Sequence, residues 1–363
     1  MTSVMFRAKR PMNYEMFRPL HAHLLDDPAM RITLYGKSFG KSDSSLFERA
    51  GALPAKQRPN WMAKFARPDV LISADFLLAT RHARTSVQIF HGVSIKNYFL
   101  NENVHAYDHV FATGPYMLKR YEERGFFEPG DPKLKHVGIP KTDRLTDGTL
   151  DRARTLESYG LDPALPTVLY APSWGTESSL DQMGEQVLSA LASMSDINVL
   201  VKLHDNAFDP RVARRDWRAF LDDLVGPRFA APQTFDVIVP MQAADLMVTD
   251  ISSVAFEWLQ VDRPLIFMTF DGQLARWEGK ADLDTWGRRI GTECEDPVKL
   301  PQVVAAELAD PDRLGDIRRA ACADIYFNVG GATQAAIREL YALLGRPLPP
   351  GSRVPAAASA GAG

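Results

Sequence analysis

Short runs of consecutive apolar residues alternate along this chain with amphipathic or polar stretches, and that rhythm predicts βα units on a parallel sheet rather than an all-helical or all-β chain. A run that is apolar at every position, such as Leu246-Met247-Val248, reads as a parallel strand covered on both faces. On this basis strands are predicted at residues 4–6, 31–34, 70–73, 87–90, 109–112 and 136–137, with helices over 14–25 and 114–124. A polar, Asp- and Arg-rich stretch at 142–166 interrupts the pattern. Strands resume at 167–170, 198–202, 237–239, 246–248 and 265–268. The fold class is therefore α/β, with an N-terminal domain over 1–145 and a second over 146–331. A final amphipathic helix at 332–345 follows Asn328-Val329-Gly330-Gly331, and the low-complexity tail 346–363 is expected to be disordered.

Bulk properties narrow the function classes. The 363 residues suit two domains, and 45% hydrophobic with 24% charged residues is ordinary globular composition. A net charge of -3 argues against a general nucleic-acid binder, which needs a basic surface. The two cysteines, Cys294 and Cys322, show neither metal-ligand spacing nor a disulfide framework, which fits a reducing cytoplasm. The N-terminal residues show no apolar h-region and no apolar run approaches about 18 residues, so neither a secretion signal nor a spanning helix is expected, and any membrane contact is expected to be peripheral. The stretch 56–67 interleaves Lys56, Arg58, Lys64 and Arg67 with Trp61, Met62 and Phe65. Such a stretch suits an anionic membrane surface, and equally an ordinary helix with a wet basic face.

In doubly wound sheets ligands bind beyond the carboxyl ends of strands, which selects candidate chemistry without knowledge of function. After the strand ending at Val248 come Thr249, Asp250, Ser252 and Ser253, then a helical run over 254–260. A hydroxyl there can cap the helix, and its free N–H groups welcome an anion. Taken alone, D-x-S-S fits a capped turn better than a site. The strand at 87–90 delivers His91-Gly92, then Ser94 and Lys96. An imidazole there can act as a general base near neutral pH, and the glycine admits close approach. Lys202 and His204 close the strand at 198–202 with groups suited to phosphate, and Ser173-Trp174 closes another. Asp282-Leu283-Asp284 is too short to specify a metal, so no metal and no cofactor are expected and a diphosphate would be met by helix N-termini, lysines and imidazoles.

Six segments, in order, resemble motifs of the CDP-glycerol glycerophosphotransferase family, the enzymes related to teichoic-acid primases and polymerases. QIFHGVSIKNY resembles its histidine-glycine motif, HVGIPKTDRL its G-x-P-R-x-D-x-L segment, and VLYAPSW its Y-A-P-T-W. VLVKLHD is similar to its K-x-H-P, and DLMVTDISSVAFEWLQVDRPLIF to its D-Y-S-S strand-turn-helix; NVGGATQAAIREL resembles its closing element. The resemblance spans about 91–344 and implies a GT-B fold: two Rossmann-like domains facing across a cleft, with the last helix crossing back. It implies His91 as the catalytic base and donor contacts at Ser173, Lys202, His204, Thr249, Asp250, Ser252 and Ser253. Acceptor-side or cleft roles fall on Gly92, Ser94, Lys96, Lys141 and Asp143. The implied partners are a CDP-linked polyol donor and a lipid-linked or surface-glycan acceptor. The chain departs from the family pattern at Val93, Lys141, Gly175, Asp205 and Ile251. Those departures leave two rivals open, a GT-B enzyme using a UDP-sugar and a nucleotide-binding relative without turnover.

Overall fold

The computed structural model describes residues 1–38, 41–42, 46–74, 76, 82–279 and 281–349. It resolves into two compact units, one made of Met1–His91, Leu100–Asp143 and the segment from Tyr326 onward, the other of Gly92–Phe99 and Arg144–Ile325. Of the tail expected to be disordered, 350–363 lie outside the described residues.

The first unit carries β1 (Thr2–Ala8), β2 (Met30–Ser38), β3 (Lys41–Ser42), β4 (Lys56–Pro59), β5 (Val70–Ala74), β6 (Thr85–Ile89), β7 (His109–Ala112) and β8 (Leu134–His136). Its path runs β3-β2-β1-β5-β6-β7-β8, with β4 also paired to β2. All pairings are parallel except β2 with β3. Every strand read from an apolar run is present. The sequence KQRP of β4 gave no such signal, because lysine and proline suit an edge position. The stretch at 56–67 is thus not a helix but β4 followed by a 3-10 turn, Asn60–Phe65.

Helix Pro11–Leu25 and helix Ala332–Leu343 pack on this sheet, joining Phe6, Phe17, Leu20, Ile72, Ile337, Leu340 and Tyr341 in one core. His21 is fully buried there with its Nδ1 2.8 Å from the Tyr14 hydroxyl. Burial pushes its pKa down to about 4, so it stays neutral.

The second unit carries β9 (Thr167–Tyr170), β10 (Asn198–Val201), β11 (Phe229–Ala230), β12 (Leu246–Thr249), β13 (Leu265–Met268) and β14 (Thr292–Cys294), all parallel. Their spatial order is β11-β10-β9-β12-β13-β14. Counted along the chain this is third, second, first, fourth, fifth, sixth, the doubly wound order whose direction reverses between β9 and β12. Strands β9, β10, β12 and β13 are buried at every position, as continuous apolar runs require.

In this unit one expectation fails and another is refined. Residues 237–239, read as a strand, open the helix Ile238–Ala243, because Asp236 accepts the Ile238 N–H at 2.9 Å and Pro240 sits in the first turn, where its missing N–H is harmless. Three apolar residues cannot distinguish a strand from a buried helix by periodicity. The helix expected over 254–260 is a short α-helix, Val254–Glu257, then a 3-10 turn, Trp258–Val261, closed by Asp262 in a left-handed conformation.

Candidate functional site

The reversal between β9 and β12 sets two loops side by side in the second unit, the one leaving Tyr170 and the one leaving Thr249. Asp250, 1% exposed, ties them together. Its Oδ1 accepts the Ser173 N–H at 2.8 Å, and its Oδ2 accepts the Ser179 N–H at 2.7 Å and the Ser179 hydroxyl at 3.0 Å. Ser179 opens the helix Ser179–Ala192, so the carboxylate also meets the positive end of that helix, and bonds to an ionised acceptor are the strong kind. Beside it, the Thr249 hydroxyl donates to the Ala171 carbonyl at 2.6 Å. Thr249 and Asp250, expected among the donor contacts, thus make these bonds within the protein. Their polar atoms shape the two loops, and a buried carboxylate is tolerated only with such partners.

Other groups at the same strand ends are less committed. Ser173 is buried, yet its hydroxyl has no hydrogen-bond partner among the described residues. Ser252 and Ser253 are half-buried. Ser253 occupies the N-cap position of Val254–Glu257 with no capping bond from its side chain, because its backbone is already helical (φ -64°, ψ -21°) where a capping residue is extended. The segment Gly92–Phe99 groups with this unit, so Gly92, Ser94 and Lys96, expected toward the acceptor side, belong to the unit that carries the β9 and β12 loops. A Cβ on Gly92 would stand 3.0 Å from Glu257 Oε1 and 3.2 Å from the Ser253 Cβ, so the glycine is what lets this segment lie against the short helix. Ser94 is buried, and its carbonyl accepts the Asn97 N–H at 3.0 Å. The Lys96 ammonium lies 5.3 Å over the Trp277 ring, and the Trp277 indole N–H donates to Glu177 Oε2 at 2.8 Å.

The loop after β10 turns inward on itself. Lys202 Nζ donates to the Leu203 carbonyl at 2.7 Å and lies 3.6 Å from Asp205 Oδ1, and burial holds its pKa below the ordinary lysine value against the pull of Asp205. Asp205 is the acid standing where the family pattern has proline. His204 Nδ1 accepts the Asn206 N–H at 3.1 Å, which puts the proton of the neutral ring on Nε2, and the ring lies 5.6 Å from that of Trp174. Gly175, standing where the family pattern has arginine, takes a left-handed backbone (φ +83°) and its carbonyl accepts both the N–H and the hydroxyl of Ser178, at 2.8 and 2.7 Å.

In the first unit His91 follows β6 by two residues and is half-buried. Lys141 and Asp143 lie in the 3-10 turn Pro140–Leu145, both buried. Asp143, expected on the acceptor side or in the cleft, accepts the Ala332 N–H at 2.9 Å through Oδ1 and the Thr333 N–H at 2.7 Å through Oδ2, and so caps the last helix. Gly138 (φ +92°) serves the same socket, since a Cβ there would stand 2.3 Å from the Phe327 carbonyl oxygen. Asn328 completes it by donating to the His136 carbonyl at 2.9 Å. The sequence HVGIPKTD is thus a seat for the chain segment that enters the closing helix.

Glu177, Ser179 and Trp277 had no signal in the sequence; a helix-opening serine and a lone tryptophan are too common to single out. Asp282, in the D-x-D, accepts the N–H groups of Asp284 and Thr285, both at 3.1 Å, as a loop-forming residue does.

The family model described as CDP-Glycerol:Poly(glycerophosphate) glycerophosphotransferase matches residues 41–278. A teichoic acid ribitol-phosphate primase of Bacillus spizizenii is 25% identical over 279 residues, 69% of this chain and 68% of that protein. Among solved structures, the wall teichoic acid polymerase TagF superposes with a TM-score of 0.65 at 15% identity, over 95% of this chain and 89% of that one. The MnaA–UDP structure of S. aureus superposes with a TM-score of 0.62 at 13% identity, over 96% and 99%. These likenesses show the fold, which is GT-B with two Rossmann-like α/β units.

Proposed function

The chain belongs to the CDP-glycerol:poly(glycerophosphate) glycerophosphotransferase family, and from that premise we propose that it moves a polyol phosphate, glycerol phosphate in the first instance, from a CDP-linked donor to an acceptor hydroxyl, releasing CMP. The acceptor is a lipid-linked or growing surface glycan of the teichoic-acid or capsule kind; the teichoic acid ribitol-phosphate primase among its relatives supports the first. The observation that carries this reading is the reversal point of the second sheet. There Asp250, on the loop that leads to Ser252 and Ser253, braces two loops, and the buried Ser173 hydroxyl has no partner among the described residues.

In this reading His91 takes the proton of the acceptor hydroxyl, and the oxygen attacks the β-phosphorus. The bond from that phosphorus to the bridging oxygen breaks, and the electron pair leaves with CMP. Ser173, Ser252 and Ser253 hydrogen-bond phosphate oxygens, and His204 stands with them on the donor side. Incubation with CDP-glycerol or CDP-ribitol and a lipid-linked acceptor is expected to release CMP, and His91→Ala to slow release by at least about 100-fold, the share of a general base. Equal rates in the two proteins would remove His91 from the mechanism. Calorimetry with CDP against UDP separates this donor from a UDP-sugar.

The same reading sets the protein on the cytoplasmic face of the membrane, in peripheral contact with it. Among the described residues no helix is long and apolar enough to cross a bilayer. Support comes from the turn Asn60–Phe65, where Trp61 is 56% and Phe65 67% exposed and Lys64 Nζ lies 4.8 Å over the Phe65 ring, with Lys56 and Arg67 exposed nearby in sequence. Exposed aromatics beside lysines suit an anionic interface. Sedimentation with anionic vesicles is expected to lose most of the bound protein when Trp61 and Phe65 are both changed to serine; unchanged binding would clear the turn of this role.

A further inference from the structure

Two lysines stand in the loops and segments that gather at the carboxyl ends of the second sheet, and the protein's own oxygens engage only one of them. Lys202 donates to the Leu203 carbonyl and has Asp205 at 3.6 Å. Lys96 makes no hydrogen bond and no ion pair among the described residues. Lys96 is half-buried, and partial withdrawal of an ammonium from water without an oxygen partner is unfavourable; the negative face of the Trp277 ring at 5.3 Å offsets part of it. A ligand oxygen would supply the missing partner.

The surroundings hold the ammonium in that state. Trp277 is fixed edge-on by its N–H to Glu177 Oε2 at 2.8 Å, and the other oxygen of Glu177 takes Arg276 at 3.2 Å. Glu177 is thereby occupied by neighbours other than Lys96. The backbone carrying Lys96 is pinned as well, since the Ile95 carbonyl accepts the Asp282 N–H at 2.8 Å and Gly92 lies against Ser253. Burial lowers the Lys96 pKa while the carboxylates of Asp250 and Glu177 raise it, which puts the ammonium within electrostatic reach of the residue that braces Ser173.

We propose that Lys96 is the cation that meets the donor's diphosphate, and that Trp277 and Glu177 are positioning residues holding its ammonium clear of the protein's own carboxylates until a phosphate oxygen takes it. Lys202, by the same comparison, serves its own loop. The inference rests on the reading that the donor is a nucleoside diphosphate derivative.

Calorimetry on the full chain with CDP, UDP and unphosphorylated cytidine tests it. Lys96→Gln is expected to weaken CDP by about tenfold or more and leave cytidine unchanged, since only a charge-assisted bond to phosphate is lost. Trp277→Leu is expected to weaken CDP by about fivefold and raise the KM for the CDP-linked donor more than it lowers kcat, while Trp277→Phe, which keeps a ring face, stays within about threefold of wild type. Equal losses in the leucine and phenylalanine proteins would reduce Trp277 to packing and overturn its positioning role. If wild type binds CDP or UDP and Lys96→Gln binds it equally well, the assignment of Lys96 is wrong. If wild type binds neither diphosphate, the donor reading itself fails.

Discussion

Asp143 in the first unit and Asp250 in the second are both buried, both lie beyond a strand, and both accept backbone N–H groups through each of their two oxygens, at least one of them at the start of a helix. What differs is the part of the chain held in place on the far side of each bond. Asp143 receives two successive N–H groups of one helix, whose face carries Ala336, Ile337, Leu340 and Tyr341 into the core of its unit. Asp250 receives N–H groups six residues apart, Ser173 and Ser179, and the loop between them carries the half-exposed Trp174 and the left-handed Gly175. One aspartate secures an apolar helix; the other fixes the course of a polar loop. An acid at a strand end is thus no evidence of ligand contact, and its function depends on what its hydrogen-bond donors are attached to.

The sharpest test of this contrast is Asp250→Ala. It leaves the N–H groups of Ser173 and Ser179 without an acceptor and frees the loop, so transfer is expected to fall by at least about 100-fold, the cost of misplacing groups around a reacting phosphate. CMP release measured on folded protein decides it; a rate within a few-fold of wild type would mean that the loop holds its shape without the carboxylate. Asp143→Ala should behave in the opposite way. Loss of two bonds to a charged acceptor is expected to lower stability by about 2–3 kcal/mol, read as a drop in denaturation midpoint, with the KM of the folded fraction little changed. A large KM effect without a stability effect would return Asp143 to the substrate.

Gly138→Ala probes the same socket from its other wall. Its left-handed φ and the Phe327 carbonyl at 2.3 Å from a would-be Cβ require the 326–331 segment to shift, at a cost of about 1–3 kcal/mol by thermal denaturation. Little loss would show that the segment is free to move away, and would weaken the view of HVGIPKTD as a rigid seat.

The same pair of aspartates marks how far the sequence could be read. Strands β9, β12 and β13 were legible because they are apolar at every position, and the polar residues after them were legible as strand ends. Strands β11 and β14, of two and three residues, were not, and residues 237–239 were mistaken for a strand because a helix start rests on Asp236, not on periodicity. For the site, the sequence showed that Asp250 sits in a turn, but its partner Ser173 is 77 positions away and Ser179 is 71. Long-range pairings of that kind leave no spacing to read. Local ones do: Lys202 and Asp205 are three apart, and the acid in place of proline was visible before its consequence was.

The smallest expected effect bears on the loop that Asp250 braces. The Ser173 hydroxyl is buried without a partner, a state that costs stability in the free protein and that a phosphate oxygen would relieve. Ser173→Ala removes the unsatisfied group while keeping the N–H that Asp250 holds, so the free protein is expected to be unchanged or more stable by up to about 1 kcal/mol. Donor affinity should move the other way, falling by about three- to fivefold for one neutral hydrogen bond. Opposite signs in a melting curve and a CDP titration are what a ligand-facing hydroxyl produces. A fall in both would make Ser173 part of the brace itself, and would erase the distinction between a loop held for function and a helix held for stability.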